Sequence, residues 1–200
     1  MQEALRGQGQ AVKWLSVRHR LFTPRYTTLK LDYQLLQYSK MNLTSSRPED
    51  LLFDAARRGD VPALKELLVT GLDVNVTNGK GFSALTLASY DDHLEAAKFL
   101  LEAGASPNVQ DVSGNTALMG VSFKGYPEIA GLLIQHGANL DLQNGTGGTA
   151  LMFATLFGRN NLVQMLLEAG ADPTVADARG FTARGLAVQQ GNDDALALLE

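Results

Sequence analysis

Few side chains in this 200-residue chain could bind a metal or move a proton, and those that could are badly spaced for either task. The histidines are His19, His93 and His136, without the short intervals of a ligand set, and no cysteine is present to supply a thiolate. His93 falls where a helix should open. His136 falls in a last helical turn beside Gly137, where an imidazolium would suit the helix dipole. Both positions read as structural. Asp91-Asp92 and Asp193-Asp194 are adjacent carboxylate pairs expected at helix starts, and neighbouring residues do not face one another as an acid and a base must. Gly145-Thr146-Gly147-Gly148-Thr149 has the composition of a phosphate cradle but lacks the lysine that completes one. From these residues neither catalysis nor a metal or cofactor site is expected, and no small-molecule substrate.

The glycines belong instead to a longer pattern that must position everything else. Gly71, Gly104, Gly137 and Gly170 are each 33 residues apart, as are Gly81, Gly114, Gly147 and Gly180. A hydroxyl two places on keeps the same step as Ser83, Thr116, Thr149 and Thr182. The glycine-rich stretch at 145–149 therefore occupies the register of every other repeat turn. Each unit holds two short helical runs closed by a glycine that favours a left-handed stop.

The units divide at 46–77, 78–110, 111–143, 144–176 and 177–200. The first has only its helical part. Ser46-Arg47-Pro48-Glu49 has the form of a capping box, a helix runs through Leu51 to Ala56 as far as Gly59, and a second opens near Pro62 and ends at Gly71. In the second unit helices are expected at 83–90 and 92–102, with Asp92 replacing the glycine found at 59, 125, 158 and 191. Gly120 and Gly131 lie inside the helices of the third unit, which is therefore expected to be the softest. In the fourth, helices are expected at Ala150–Phe157 and Asn161–Ala169. Asp54 stands in the column of Leu87, Phe153 and Leu186, and Arg184 in that of Leu85, Leu118 and Leu151, which gives both end units the polar exterior of caps.

Composition agrees with a folded chain: 45% of residues are hydrophobic and 19% charged. No apolar run is long enough for a membrane-spanning helix, and the lack of cysteine suits a reducing compartment, so a cytoplasmic location is expected. The net charge of −4 is unevenly spread. Residues 1–45 carry Arg6, Lys13, Arg18, Arg20, Arg25, Lys30 and Lys40 against Glu3 and Asp32, a balance of +5 that leaves −9 for the remainder.

That first segment has no sustained helical or strand period and receives no fold. It lacks the continuous apolar stretch of a secretory signal, although its Arg-rich composition weakly resembles a mitochondrial transit peptide. Association with nucleic acid or a membrane surface is the alternative function, carried by this segment alone, and the acidic remainder argues against it. Met41 opens a polar lead, Asn42-Leu43-Thr44-Ser45-Ser46, into the first unit, and is a candidate start of the protein. Intact mass of the endogenous protein then begins at Met41; a species retaining residues 1–40 rejects that start.

Residues 46–200 resemble the ankyrin-repeat family. The family motif Thr-Pro-Leu-His-x-Ala appears as Ser83-Ala84-Leu85-Thr86-Leu87-Ala88, Thr116-Ala117-Leu118-Met119-Gly120-Val121 and Thr149-Ala150-Leu151-Met152-Phe153-Ala154, with Ala for Pro and Thr or Met for His. The Leu pairs persist at Leu67-Leu68, Leu100-Leu101, Leu133-Ile134 and Leu166-Leu167. The change at the His is expected to weaken the hydrogen bonding around it.

The resemblance implies an all-α solenoid of antiparallel helix pairs with projecting hairpin turns, a monomer that binds another protein on its concave side as an adaptor, scaffold, inhibitor or neutralising partner. Carried over by position, the binding residues are Lys80, Phe82, Tyr90 and Asp91 in the second unit and Val112, Asn115, Phe123 and Lys124 in the third. Thr146, Leu156 and Phe157 follow in the fourth, and Arg179, Phe181 and Gln189 in the fifth. Tyr90, Phe123 and Leu156 share the 33-residue step and should form one row. That row is either an exposed hot spot or core between neighbouring inner helices.

Overall fold

The computed structural model describes residues 47–200. The expectations for residues 1–46, including Met41 as a start and Ser46 as a helix cap, lie outside the described residues. Ten helices follow in five pairs: α1 Pro48–Arg57 and α2 Val61–Val69; α3 Ala84–Tyr90 and α4 Leu94–Glu102; α5 Ala117–Lys124 and α6 Pro127–Gln135; α7 Ala150–Leu156 and α8 Asn160–Glu168; α9 Ala183–Gln190 and α10 Asp193–Leu198. Among the described residues the only extended pairing outside helices is an isolated bridge between Thr77 and Ser83.

The first helix of each pair packs on the first helix of the next, and the second on the second, so two rows run side by side. The apolar columns explain this arrangement. Leu52, Leu85, Leu118 and Leu151 lie one period apart and are all at most 1% exposed. Leu67, Leu100, Leu133, Leu166 and Leu199 are likewise one period apart and buried, at most 8% exposed, in the outer row. Between the rows run Ala55, Ala88, Val121, Ala154 and Ala187, each fully buried, whose small side chains let the helices of a pair approach closely. In the last described unit the inner leucine column carries Arg184, which is exposed.

Hydroxyls begin the inner helices as their spacing predicts. Ser83, Thr116, Thr149 and Thr182 each accept a hydrogen bond from the backbone N–H three residues on. At the positions where the motif has His, the expected weakening is partly made good. The Thr86 hydroxyl lies 3.0 Å from Ser83 Oγ, and Met119 Sδ accepts from Thr116 N at 3.5 Å.

Several boundaries differ from the sequence reading. Arg47 is the residue before α1, with Pro48 in the first turn, and its own side chain makes no capping bond. Ser83 precedes α3 as its cap, and α4 opens at Leu94 behind His93. Helix α7 stops at Leu156 rather than Phe157, and α8 runs Asn160–Glu168. Asp91 and Asp92 do not open a helix. Asp91 closes α3, and Asp92 takes φ 62°, the only described non-glycine residue with positive φ. The chain must turn there as it does at Gly59, Gly125, Gly158 and Gly191, so the aspartate is held in a left-handed conformation that costs it roughly 1 kcal/mol. Asp193 and Asp194 do sit in the first turn of α10, where their charge opposes the positive end of the helix dipole.

Gly120 and Gly131 are interior to α5 and α6 and each costs about 1 kcal/mol of helix propensity relative to alanine. Replacing Leu118 or Leu151 with alanine removes a side chain that is 1% exposed, and each should lower the unfolding free energy by about 2–5 kcal/mol in chemical denaturation. A loss under about 1 kcal/mol would mean the stack can collapse around the gap.

Candidate functional site

The projecting turns are each built on one side chain. Asn78, Asp111, Asn144 and Asp177 stand one period apart, and the Oδ1 of each accepts from the backbone N–H groups two and four residues on. The backbone then closes the loop: Gly81 N donates to Asn78 O, Gly114 N to Asp111 O, Gly147 N to Asn144 O and Gly180 N to Asp177 O, all at 2.8–2.9 Å. Successive tips are tied by Val112 N to Lys80 O, Gly145 N to Ser113 O and Ala178 N to Thr146 O. The approach is close enough that a Cβ on Gly147, itself at φ 79°, would stand 2.7 Å from Ala178 N. Side chains reinforce the ladder, with Asn144 Nδ2 donating to Asn115 Oδ1 at 2.9 Å and Gln110 and Gln143 each donating to two carbonyls, near the start and at the end of the following unit.

The return loops are clipped in the same way. Asn75 and Asn108 each accept from a backbone N–H of the next unit and donate back to a glycine carbonyl, Gly104 or Gly137. Asp141 fills this register one unit later and, as a carboxylate, only accepts, from Asp172 N.

Between the tips and the ends of the inner helices lies a groove of about 620 Å³, lined mainly by apolar side chains. It brings together Phe82, Tyr90, Asp91, Asn115 and Phe123 of the expected binding residues. To these it adds Arg57, Leu87, Met119, Gly120 and Phe153, which the sequence reading did not name, together with the turn-builders Asp111 and Asn144. Arg57 could have been found, since it stands one period before Tyr90.

The row of Tyr90, Phe123 and Leu156 is neither wholly exposed nor core. Tyr90 is 44% exposed, whereas Phe123 and Leu156 are half-buried, because the ring of Phe157 meets that of Phe123 edge-on at 4.5 Å. Gln189 continues the row, exposed, in the last unit. Lys124 is half-buried with its ammonium 4.8 Å from the Tyr90 ring centre and 5.7 Å from that of Tyr126. At the tips Lys80, Thr146 and Arg179 are exposed, and Val112 is 77% exposed. Phe181 is half-buried beneath the Arg179 guanidinium.

The chemistry of this face is that of contact. Among the described residues no group of His, Asp and Glu side chains could hold a metal ion. His93 is occupied by a structural bond, its Nε2 lying 2.7 Å from the Arg57 carbonyl oxygen. Gly145–Thr149 serves as the fourth turn, with the Gly145 and Gly147 N–H groups already taken.

A protein-family scan matches ankyrin repeats in three copies, over residues 1–111, 52–144 and 118–200. The chain belongs to the ankyrin-repeat family. No curated protein matches it. Ankyrin repeats generally mediate protein–protein interaction, and among the described residues of this ankyrin-repeat protein no helix is long and apolar enough to cross a membrane.

The last turn carries a titratable test of the turn chemistry. The Phe181 N–H and the Arg179 guanidinium hold the Asp177 carboxyl below the ordinary carboxylate range. The Thr174 hydroxyl and N–H do the same for Asp172. A lowered folded-state value makes each a stabilising group above the unfolded value near about 3.9, and that stabilisation is lost as pH falls through the folded value. Asp177→Asn keeps the turn, as Asn78 and Asn144 do in sister units, but cannot titrate. Thermal unfolding followed from about pH 7 to about pH 2 should therefore show a smaller acid loss in Asp177→Asn than in wild type; equal losses would remove Asp177 as a source of the acid limb.

Proposed function

We propose that this ankyrin-repeat protein is a non-enzymatic interaction module that docks a protein partner on the concave face made by its inner helices and hairpin tips, acting as an adaptor, inhibitor or neutralising partner. The observation that carries the reading is the apolar groove together with the side chains around it. Tyr90 at 44%, Phe157 at 41%, Val112 at 77% and Val188 are exposed on the inner helices and tips, beside the groove or along its row, whereas Val69, Leu94 and Leu198 on the described outer helices stand singly among polar and charged residues with no groove beside them. A surface of this kind loses little by drying, and aromatic anchors contribute most of the affinity when a partner covers them.

The hairpin tips suit this role because each turn is held from within, by its own Asn or Asp, and from the side, by its neighbour. Preorganised tips lose little further freedom on binding. Their variable positions, Lys80, Val112, Thr146 and Arg179, differ in charge and size and can discriminate partners without altering the turn.

Replacing Tyr90, Val112 and Phe157 together with glutamate places charges at exposed sites and should leave the unfolding midpoint within a few degrees of wild type. Capture of the partner by the immobilised full chain should fall by at least about tenfold. A partner captured equally by both proteins would place the docking surface elsewhere.

A further inference from the structure

We propose that Gly120 selects the partner: the side chain it lacks leaves a hollow that accepts one large apolar side chain of a protein segment whose neighbouring residues are basic. This rests on the docking reading above and sharpens it. Along the column that faces the groove the units place Asp54, Leu87, Gly120, Phe153 and Leu186, one period apart. Only at Gly120 does the column lack a side chain; the Tyr90 ring lies over the glycine, and the groove of about 620 Å³ opens beside it, walled by Leu87 and Phe153 along the stack and by Tyr90, Met119 and Phe123 around it.

Nothing in the backbone requires glycine there. Gly120 is inside α5 and is not among the glycines with positive φ. Its place in a helix interior is a standing cost that alanine would remove. The Tyr90 ring packs over Gly120 on one side, where a Cβ would stand 3.2 Å from its Cδ2, and no other side chain comes within 4 Å of that Cβ. A larger side chain at this position would press on the half-exposed ring and take up groove space beside it.

Charge decides what flanks the anchor. Of the ionised groups lining the groove, Arg57 has Asp54 at 3.9 Å. Asp91 lies exposed at the end of α3, and Asp111 builds its own turn, accepting from Ser113 N and from Asn115 N and Nδ2. Lys124, outside the lining, brings its ammonium over the rings of Tyr90 and Tyr126. Asp54, Asp91 and Asp111 thus stand against Arg57 and Lys124, on a repeat region whose balance is −9. Lysine or arginine beside the anchor is drawn to that field, and a carboxylate is repelled.

Panning a random peptide library displayed on phage against the full-length chain tests both parts. Selected peptides should share a Leu, Met or Phe with Lys or Arg beside it, and their affinity should fall at least about tenfold for Gly120→Leu. The unfolding midpoint of Gly120→Leu should stay within a few degrees of wild type, the half-exposed Tyr90 ring swinging outward to admit the side chain. Gly120→Ala, with a smaller loss of affinity, carries the same comparison if the larger side chain disturbs folding. Asp91→Lys, at an exposed site, should keep the anchor and lose the preference for basic neighbours. Acidic neighbours, no selected peptide at all, or undiminished binding to the Gly120 variants would overturn the proposal. If those variants bind fully while the Tyr90, Val112 and Phe157 glutamate variant does not, the face still docks a partner and only the hollow is wrong. If that variant also binds fully, the docking reading fails with it.

Discussion

A pair of helices no more than ten residues long cannot cover its own apolar side, and in this protein the neighbouring pair does so. Every other feature depends on that mutual covering. It demands that the same side chain sit at the same place in each unit, which fixes the step at 33 residues and leaves only the turn tips and the outward sides of the helices free to vary. The ends of the stack show the rule by departing from it. Asp54 and Arg184 are charged where interior units are apolar or small, because no further pair stacks beyond them among the described residues.

The polar groups follow the same economy. Short helices expose many backbone donors and acceptors for their length, and the repeats satisfy them with few kinds of residue. One hydroxyl opens each inner helix from the second unit on, and one Asn or Asp builds each tip. Two inner-helix hydroxyls, Ser89 and Ser122, are fully buried with no partner, whereas Thr155 in the same column bonds the Leu151 carbonyl. The column tolerates a small polar group at some cost, and threonine is the better resident because its hydroxyl can reach back one turn.

Most of the fold was legible because its signals recur. Glycine, hydroxyl and leucine columns with one shared period gave the helix pairs, the caps and the register, and even the left-handed turn at Asp92 followed from its place among glycines. What escaped was local or non-periodic. The end of α7 at Leu156 and the start of α8 at Asn160 shifted by a residue because helix ends are decided by single bonds rather than by pattern. The binding face was legible by position but not by shape. Tyr90, Phe123 and Leu156 were correctly aligned, yet their exposures differ, since Phe157 leans on Phe123 and nothing comparable covers Tyr90. Gly120, which lines the groove, looked in the sequence only like a weak helix position.

The equal spacing of the inner helices also makes the face a ruler. Packed helices stand about 8–10 Å apart, so Tyr90, Phe123 and Leu156 are graduations at that pitch. An extended polypeptide in the polyproline II conformation, with three residues per turn and about 3.1 Å per residue, brings every third side chain onto a mark. One wound as a helix, at about 1.5 Å per residue, does so only every sixth or seventh. The repeat length thus limits the cadence of any chain laid along the solenoid, whatever residues it carries.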